Sequence, residues 1–254
     1  MSLPGATRDW DAATYERVSD NQYRWGVEVL ERLDLSGDER VLDAGCGSGR
    51  VTAELIKRVP RGRVIAVDAS PSMIDKARAS LGDDADYVVA DLAELELDEP
   101  VDAILSTAVF HWVPDHDALF ARMHAALHPG GRIEAQCGGE GNIDNLRAVV
   151  EPLVAEPPYA RYFSGWDGPW NFPGPDATAA RLERAGFTEV RCWLERKLLT
   201  SDEPRAFLAS VSLGSHLQRL PEELRDRFVA DVADAMGEPL EVDYVRLNIS
   251  AVRG

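Results

Sequence analysis

The ten residues VLDAGCGSGR, numbers 41 to 50, decide the fold of this chain. An apolar start leads to an acid, Asp43, and glycines then occupy every second position: Gly45, Gly47 and Gly49. The next residues, VTAELIKRV (51–59), have a helical pattern, so the segment predicts a strand, a glycine turn and a helix. Such a turn lets a ligand lie against bare backbone at a helix N-terminus, where free N–H groups favour an anionic group.

The glycine spacing differs from the two common phosphate-binding patterns. In G-x-G-x-x-G the third glycine would have to stand at Arg50 or Thr52, and no Gly-Lys-Ser/Thr follows for a Walker loop. The second apolar run, 62–70, reaches Asp68 about 20 residues beyond the glycines, where an acid can accept hydrogen bonds from ribose hydroxyls. The two features together predict a site for a ribonucleoside that needs no pyrophosphate cradle.

Alternation of apolar runs and amphipathic segments predicts the fold class. The strand-like runs are 39–45, 62–70, 85–92, 101–110 and 130–137. The helical segments between them include 51–59, 115–128 and 70–82, the last with Ser70 as its N-cap. This order is typical of an α/β domain with a doubly wound, mostly parallel sheet. We expect seven strands in all, with an antiparallel strand at the sheet edge and a helical, aromatic lid insertion.

The predicted domain boundaries follow the same pattern. Residues 1–34 form an N-terminal helical segment, and residues 35–140 form the nucleoside-binding α/β core. Substrate-side helical insertions occupy 141–187 and 200–238, and edge strands at 188–199 and 240–254 complete the sheet. A chain of 254 residues fits one large domain with a sizeable insertion.

Composition bounds the partners and the compartment. The chain has 27 Lys and Arg against 44 Asp and Glu, a net charge of −17, which disfavours nucleic acid as a partner. Its 3 cysteines are far apart, and no metal-ligand spacing appears, so we expect neither disulfides nor a metal site. With no signal-like start and no apolar run of about 18 residues, we expect a cytoplasmic protein that does not bind membranes.

Four motifs resemble those of one enzyme family. VLDAGCGSGR (41–50), VIAVDASPSMI (64–74), ADL (90–92) and LHPGGRI (127–133) are similar to the motif series of class I S-adenosylmethionine-dependent methyltransferases. The tripeptide FHW within FHWVPDHDALF (110–120) is similar to the trans-aconitate and biotin-pathway malonyl-carrier methyltransferase branch. The resemblance covers residues 10–140 and implies a Rossmann-like methyltransferase fold with S-adenosyl-L-methionine as the cofactor.

The resemblance also implies roles for single residues. The turn would approach the methionine part of the cofactor, Asp43 would orient the turn or meet the amino group, and Asp68 would hold the ribose. The other implied cofactor contacts are Ala44, Gly45, Cys46, Gly47, Gly49, Ala69, Met73, Asp91, Leu92, Ser106 and Thr107. In the N-terminal segment, Trp10, Tyr15 and Gln22 would belong to a lid over the cofactor; a core-packing role for Trp10 and Tyr15 is the alternative.

The acceptor is expected beyond the carboxyl ends of the strands. His111 is the candidate catalytic residue, as a base for a hydroxyl or amine acceptor, whereas a carboxylate acceptor would need none. An aromatic-rich stretch broken by Gly and Pro predicts a lid or, as the alternative, a hydrophobic cluster that holds the loop, with only Arg161 and Arg24 as nearby cations. We therefore expect an aromatic-walled pocket for a less charged acceptor than trans-aconitate. The candidate substrate contacts are Trp112, Gln136, Asn142, Tyr159, Trp166 and Trp170.

The leading hypothesis is a methyltransferase that acts on an oxygen of a small molecule, as a monomer or homodimer. A C- or N-methyltransferase of similar architecture is the nearest alternative. A non-catalytic S-adenosylmethionine-binding protein and a dehydrogenase are the alternatives from other classes. Turnover of any acceptor separates the first from the silent binder, and nicotinamide binding would identify the dehydrogenase.

Overall fold

The computed structural model describes residues 20–254, and it contains one seven-stranded sheet. The strands in chain order are β1 Arg40–Ala44, β2 Arg63–Asp68, β3 Ala85–Val89, β4 Val101–Thr107, β5 Leu127–Gly138, β6 Phe187–Thr200 and β7 Glu241–Arg253. The α-helices are α1 Asp20–Leu30, α2 Arg50–Arg58, α3 Pro71–Leu81, α4 His116–Ala126, α5 Asp144–Ala155, α6 Ala160–Phe163, α7 Pro175–Ala185, α8 Pro204–Phe207, α9 Gly214–Arg219 and α10 Glu222–Met236. Short 3₁₀ helices occupy Glu31–Leu33 and Phe110–Trp112.

The strand order confirms the predicted fold class. The sheet runs β3-β2-β1-β4-β5-β7-β6, with the first five strands parallel. Strand β7 pairs antiparallel with both β5 and β6. The two C-terminal strands form the antiparallel pair at this end of the sheet, with β7 between β5 and β6 and with β6 at the edge. The reversal of strand order between β1 and β4 opens a crevice at their carboxyl ends, where ligands bind in such sheets.

Each face of the sheet is covered by helices because its strands are apolar on both sides. On one face Leu30 of α1, Leu55 of α2 and Ile74 of α3 are buried in one cluster. On the other face Phe120 of α4 and Leu182 of α7 are buried in a second cluster. Burial of such side chains stabilises the fold by about 1.5–3 kcal/mol each. This rigid sandwich fixes the loops that leave the carboxyl ends of the strands.

A third buried cluster forms a helical layer above the sheet edge, built from the two insertions. It contains Tyr159 and Phe163 beside Phe228 of α10. In the insertion predicted at 200–238, a π-helical turn spans Leu208–Ser212 between α8 and α9. The Leu213 N–H donates to the Leu208 carbonyl, and this wider turn lets both leucines point into the core.

The predicted start of α3 is confirmed in atomic detail. The Ser70 hydroxyl accepts a hydrogen bond from the Met73 N–H at 3.4 Å, and Pro71 occupies the first turn. Within the predicted N-terminal helical segment 1–34, the described residues form α1, Asp20–Leu30. Between residues 20 and 254, no helix is both long enough and apolar enough to span a membrane.

Candidate active site

A cavity of about 680 Å³ lies at the carboxyl ends of β1, β2 and β4. One end is bounded by the glycine turn, Asp68 and the start of α3. The other end is bounded by the segment after β4, the aromatic stretch near residue 170 and strand β7. We call these the cofactor end and the acceptor end. Of the predicted site residues, those on the cavity wall are Gln22, Gly45, Cys46, Gly47, Asp68, Ala69, Met73, Asp91, Leu92, Thr107, His111, Trp112, Asn142 and Trp170.

The three glycines of the turn are required for different physical reasons. All three have positive φ: 89° at Gly45, 55° at Gly47 and 88° at Gly49. A Cβ at Gly45 would lie 2.6 Å from Cγ1 of Val109, and one at Gly49 would lie 2.9 Å from Cδ1 of Leu81. A Cβ at Gly47 would meet nothing within 4 Å, so this glycine faces open space on the cavity wall. Gly47 therefore leaves room for a ligand, whereas Gly45 and Gly49 leave room for the side chains of Val109 and Leu81.

The Asp68 carboxylate ties the second strand to the glycine turn. Its Oδ2 accepts the Gly47 N–H at 3.0 Å, and its Oδ1 accepts the Ser70 N–H at 2.9 Å. Burial raises the pKa of Asp68, and the backbone N–H groups oppose that shift. The carboxylate lies on the cavity wall with further lone pairs available, as ribose hydroxyl donors require.

Asp43 braces the turn from behind. Its carboxylate accepts the Thr52 hydroxyl at 2.7 Å, so it joins the end of β1 to the first turn of α2. The side chain is 1% exposed and does not line the cavity, and burial raises its pKa to about 7. Of the two roles considered for Asp43, its contacts match orientation of the turn.

Several other predicted cofactor residues also lie off the cavity wall. The Ser106 hydroxyl donates to the Ala44 carbonyl at 2.7 Å, so both residues join β4 to β1 beneath the crevice. Gly49 begins α2 and packs against Leu81 rather than the cavity. Trp10 and Tyr15 lie outside the described residues. Ala44, Ser106 and Gly49 therefore support the glycine turn from below, and other residues of the turn line the cavity.

The cofactor end fits the nucleoside and methionine parts of S-adenosyl-L-methionine. Both amide atoms of Gln22 are buried on the cavity wall, and neither has a hydrogen-bond partner within the described residues. A buried amide without partners costs about 1–3 kcal/mol, which a polar ligand group would offset. Gln22 would satisfy that group, Asp68 would hold the ribose, and the open face of Gly47 would admit the ligand.

His111 stands at the acceptor end with a defined tautomer. Its Nδ1 accepts the Gly138 N–H at 3.2 Å, and a backbone amide can only donate. The neutral ring therefore carries its proton on Nε2, and in this form Nε2 donates a hydrogen bond. The sequence suggested His111 as a base. With Nδ1 occupied, the neutral ring offers an Nε2–H donor, and a catalytic role for His111 stays a prediction.

Aromatic rings form the walls beside His111. The Trp112 and Trp170 ring centroids lie 6.5 Å apart, and Phe172 stacks on Trp170 at 5.9 Å with an interplanar angle of 13°. Phe172 also lies 5.8 Å from the His111 ring. Asn142 is buried on the same wall, and its side-chain oxygen accepts the Val245 N–H at 2.9 Å. The acceptor end is therefore flat-walled and mostly apolar.

Two predicted substrate contacts lie in the helical layer instead of on the cavity wall. The Tyr159 hydroxyl donates to Asp231 at 2.7 Å, and its ring is buried against Phe228. The Trp166 ring stacks on Phe163 at 5.5 Å. Their aromatic composition suggested a pocket wall, but the rings hold the layer together.

The residue that sequence reasoning missed is Arg246, in the middle of β7. It is 3% exposed yet lines the cavity, with its guanidinium 5.5 Å from the Trp25 ring and 5.9 Å from the Tyr244 ring. In the sheet it is directly opposite Gly138, whose N–H holds His111. The sequence feature that could have indicated this residue is a charge inside the strand-like alternation YVRLNIS (244–250), because buried charged residues are rare. The two cations named from the sequence, Arg161 and Arg24, are exposed and do not line the cavity.

Gln136 does not line the cavity, but it supports Arg246. Its Oε1 accepts from the Arg246 Nε at 3.3 Å, and its Nε2 donates to Asn248 at 2.8 Å. Asn248 in turn accepts from Arg32, which pairs with Glu134 at 2.9 Å. This buried chain fixes the guanidinium against the cavity wall.

Comparisons with known proteins agree with this geometry. Residues 41–131 match a family model described as a methyltransferase domain. A trans-aconitate 2-methyltransferase of Methylobacterium nodulans is 33% identical over 198 residues, which cover 76% of this chain and 70% of the relative. A protein of the same name from Variovorax paradoxus is 32% identical over 228 residues, covering 79% of this chain and 86% of the relative.

Among solved structures, a Haemonchus contortus phosphoethanolamine N-methyltransferase 2 superimposes with a TM-score of 0.62 at 19% identity, over 95% of this chain and 56% of that one. That likeness shows the shared fold. The chain belongs to the class I S-adenosylmethionine-dependent methyltransferases. S-adenosyl-L-methionine is its cofactor, as the motif resemblance implied.

Proposed function

We propose that the protein methylates a carboxylate oxygen of a small molecule and releases a methyl ester. The observation that carries the proposal is the buried Arg246 guanidinium on the wall of the acceptor end, in the same cavity that His111 lines. A guanidinium matches the geometry of a carboxylate through two parallel hydrogen bonds. The trans-aconitate methyltransferases that are similar to this chain bear a name that denotes a carboxylic acid acceptor.

The chemistry asks little of the protein beyond orientation. S-adenosyl-L-methionine, when bound, would supply an electrophilic methyl group, whose bond to sulfur breaks as the bond to the acceptor oxygen forms, and S-adenosylhomocysteine would be the leaving group. A carboxylic acid with an ordinary pKa near 4 is ionised at neutral pH, so its oxygen is already a nucleophile and no base has to remove a proton. Arg246 would bind the carboxylate, and His111 would donate from Nε2 to the oxygen that does not react. Such positioning of two reactants can supply roughly 7–11 kcal/mol of the barrier.

The walls of the cavity complete the arrangement. Trp112 and Trp170 would exclude water from the acceptor, which strengthens the contact between the guanidinium and the carboxylate. Gln136 would keep the guanidinium in place through its 3.3 Å hydrogen bond. No described residue of this wall is required to change its protonation state.

The test compares Arg246→Met with a matched control, Arg196→Met, whose parent residue is exposed on β6. Purified proteins receive methyl-labelled cofactor and a panel of carboxylic acids, phenols and amines, and mass spectrometry identifies the products. We expect alkali-labile methyl esters from wild type and from the control. Loss of a charge-assisted contact worth about 1.5–3 kcal/mol predicts kcat/KM at least about tenfold lower in Arg246→Met. Products on nitrogen or carbon, or full activity of Arg246→Met, would contradict the proposal.

A further inference from the structure

Among the described residues, the acceptor end carries less positive charge than several bound carboxylates would require. Within residues 20–254, the guanidinium groups on the cavity wall are those of Arg50 and Arg246. Arg50 lies at the cofactor end, bonded to Asp20 at 2.8 Å and placed over the Tyr23 ring at 4.6 Å. The described part of the acceptor end therefore offers one guanidinium.

The remaining acceptor wall is unfavourable for a second anion. Trp112, Trp170 and Phe172 present rings with negative faces, and Ile143 and Val211 add apolar surface. An ionised carboxylate placed against them would lose its hydration without gaining a cation, which is costly. The neutral groups that remain, such as Asn142 and Ser215, can hydrogen-bond a polar substituent but carry no charge to neutralise a second carboxylate.

The rings also define a shape. Trp170 and Phe172 are nearly parallel at 13°, and Trp112 lies at 45° to Trp170 across 6.5 Å. Stacked rings of this kind favour a flat, apolar body that can lie along them. Gly138 keeps this wall close to Arg246, since a Cβ there would lie 2.5 Å from Phe172.

We infer that the preferred acceptor is a monocarboxylate with a flat, mainly apolar body, and that tricarboxylates are poor ligands. The inference rests on the proposed carboxylate methylation and names the substrate class of the same site. Arg246 binds the carboxylate, and the rings of Trp112, Trp170 and Phe172 bind the body. This class differs from the acceptor in the names of the similar trans-aconitate 2-methyltransferases.

Binding of matched probes tests the inference without requiring turnover. The full chain is saturated with S-adenosylhomocysteine and titrated calorimetrically with trans-cinnamate, trans-aconitate and cinnamyl alcohol. We expect trans-cinnamate to bind at least about tenfold more tightly than either of the other two. Trp170→Ala should weaken trans-cinnamate binding about tenfold or more, and it should leave S-adenosylhomocysteine binding unchanged. The control Leu198→Ala, at an exposed position of β6 away from the cavity wall, should bind as wild type does.

The outcomes separate the inference from the proposed function. Equal or tighter binding of trans-aconitate would overturn the inference while carboxylate methylation stands. Undetectable binding of both acids to the S-adenosylhomocysteine complex would also overturn it, as would unchanged trans-cinnamate affinity in Trp170→Ala. Failure of S-adenosylhomocysteine itself to bind would instead overturn the proposed function on which the inference depends.

Discussion

A pair of alanine substitutions in the glycine turn should separate cofactor binding from folding. At Gly47 the backbone has a φ of 55°, and an added Cβ would meet no protein atom within 4 Å. At Gly45 the φ is 89°, and the Cβ would lie 2.6 Å from Cγ1 and 2.8 Å from Cβ of Val109. Only the Gly47 methyl points into space that the cofactor would use.

The geometry sets the expected magnitudes. An alanine in the left-handed region costs about 1–2 kcal/mol, so Gly47→Ala should lower the free energy of unfolding by that amount. Gly45→Ala adds a clash with a stiff β-branched side chain, and overpacking costs a further 1–3 kcal/mol or so. A methyl group on the ligand-facing backbone should weaken S-adenosylhomocysteine binding by about tenfold or more in Gly47→Ala.

Two measurements check this pair. Urea denaturation gives the free energy of unfolding, and titration calorimetry at a temperature where all proteins are folded gives the dissociation constant for S-adenosylhomocysteine. We expect Gly47→Ala to have a higher free energy of unfolding than Gly45→Ala. For each kcal/mol of stability lost, Gly47→Ala should nevertheless lose more affinity for S-adenosylhomocysteine than Gly45→Ala does. Wild-type affinity in Gly47→Ala would refute the assignment of this turn as the cofactor cradle.

Three further substitutions test other parts of the site. Gln136→Glu places a negative charge beside the Arg246 guanidinium, where a charge pair at 4 Å is worth about 4 kcal/mol at an effective dielectric constant of 20. Acceptor affinity should therefore fall at least about tenfold, while S-adenosylhomocysteine affinity stays unchanged. Unchanged acceptor affinity would exclude a role for that guanidinium. Gly138→Ala should displace Phe172, 2.5 Å from the added Cβ, and raise the acceptor KM while cofactor binding stays the same; equal effects on both ligands would contradict this. Asp43 has its pKa raised from 3.8 to about 7 by burial, so the folded state binds its proton more tightly and ionisation weakens the fold as pH rises between those values. Asp43→Asn removes that pH dependence. Urea denaturation at several pH values should show that the free energy of unfolding of Asp43→Asn, relative to wild type, grows by up to roughly 4 kcal/mol between pH 3.8 and about 7. A difference that does not change with pH would contradict this assignment of Asp43.

The parts of the fold and site that the sequence predicted are those set by local patterns. The glycine turn follows β1 directly, and Asp68 ends the next strand, so their approach at one sheet edge follows from parallel alternation. The Ser70 cap is likewise a local hydrogen bond. These features could be inferred because the cap depends only on neighbouring residues, and the approach of Asp68 to the glycine turn depends on one topological rule.

The acceptor end could not be inferred in this way because distant segments build it. Arg246 reaches the cavity that His111 lines through the antiparallel register that sets it opposite Gly138, and a strand alternation pattern does not show which partner strand it will have. Tyr159 and Trp166 were expected at the substrate because aromatic residues cluster there in sequence. Tertiary packing instead buries Tyr159 against Phe228 in the helical layer.

The most direct test of the account is the chemical identity of the methylated product. Wild-type protein is incubated with cofactor carrying an isotope-labelled methyl group and with trans-cinnamate, and the product is analysed by mass spectrometry before and after mild alkaline hydrolysis. The account predicts a labelled methyl ester that alkali cleaves back to the acid, and a strongly reduced yield with Arg246→Met. A labelled product that resists alkali, or equal ester formation without the Arg246 guanidinium, would contradict it.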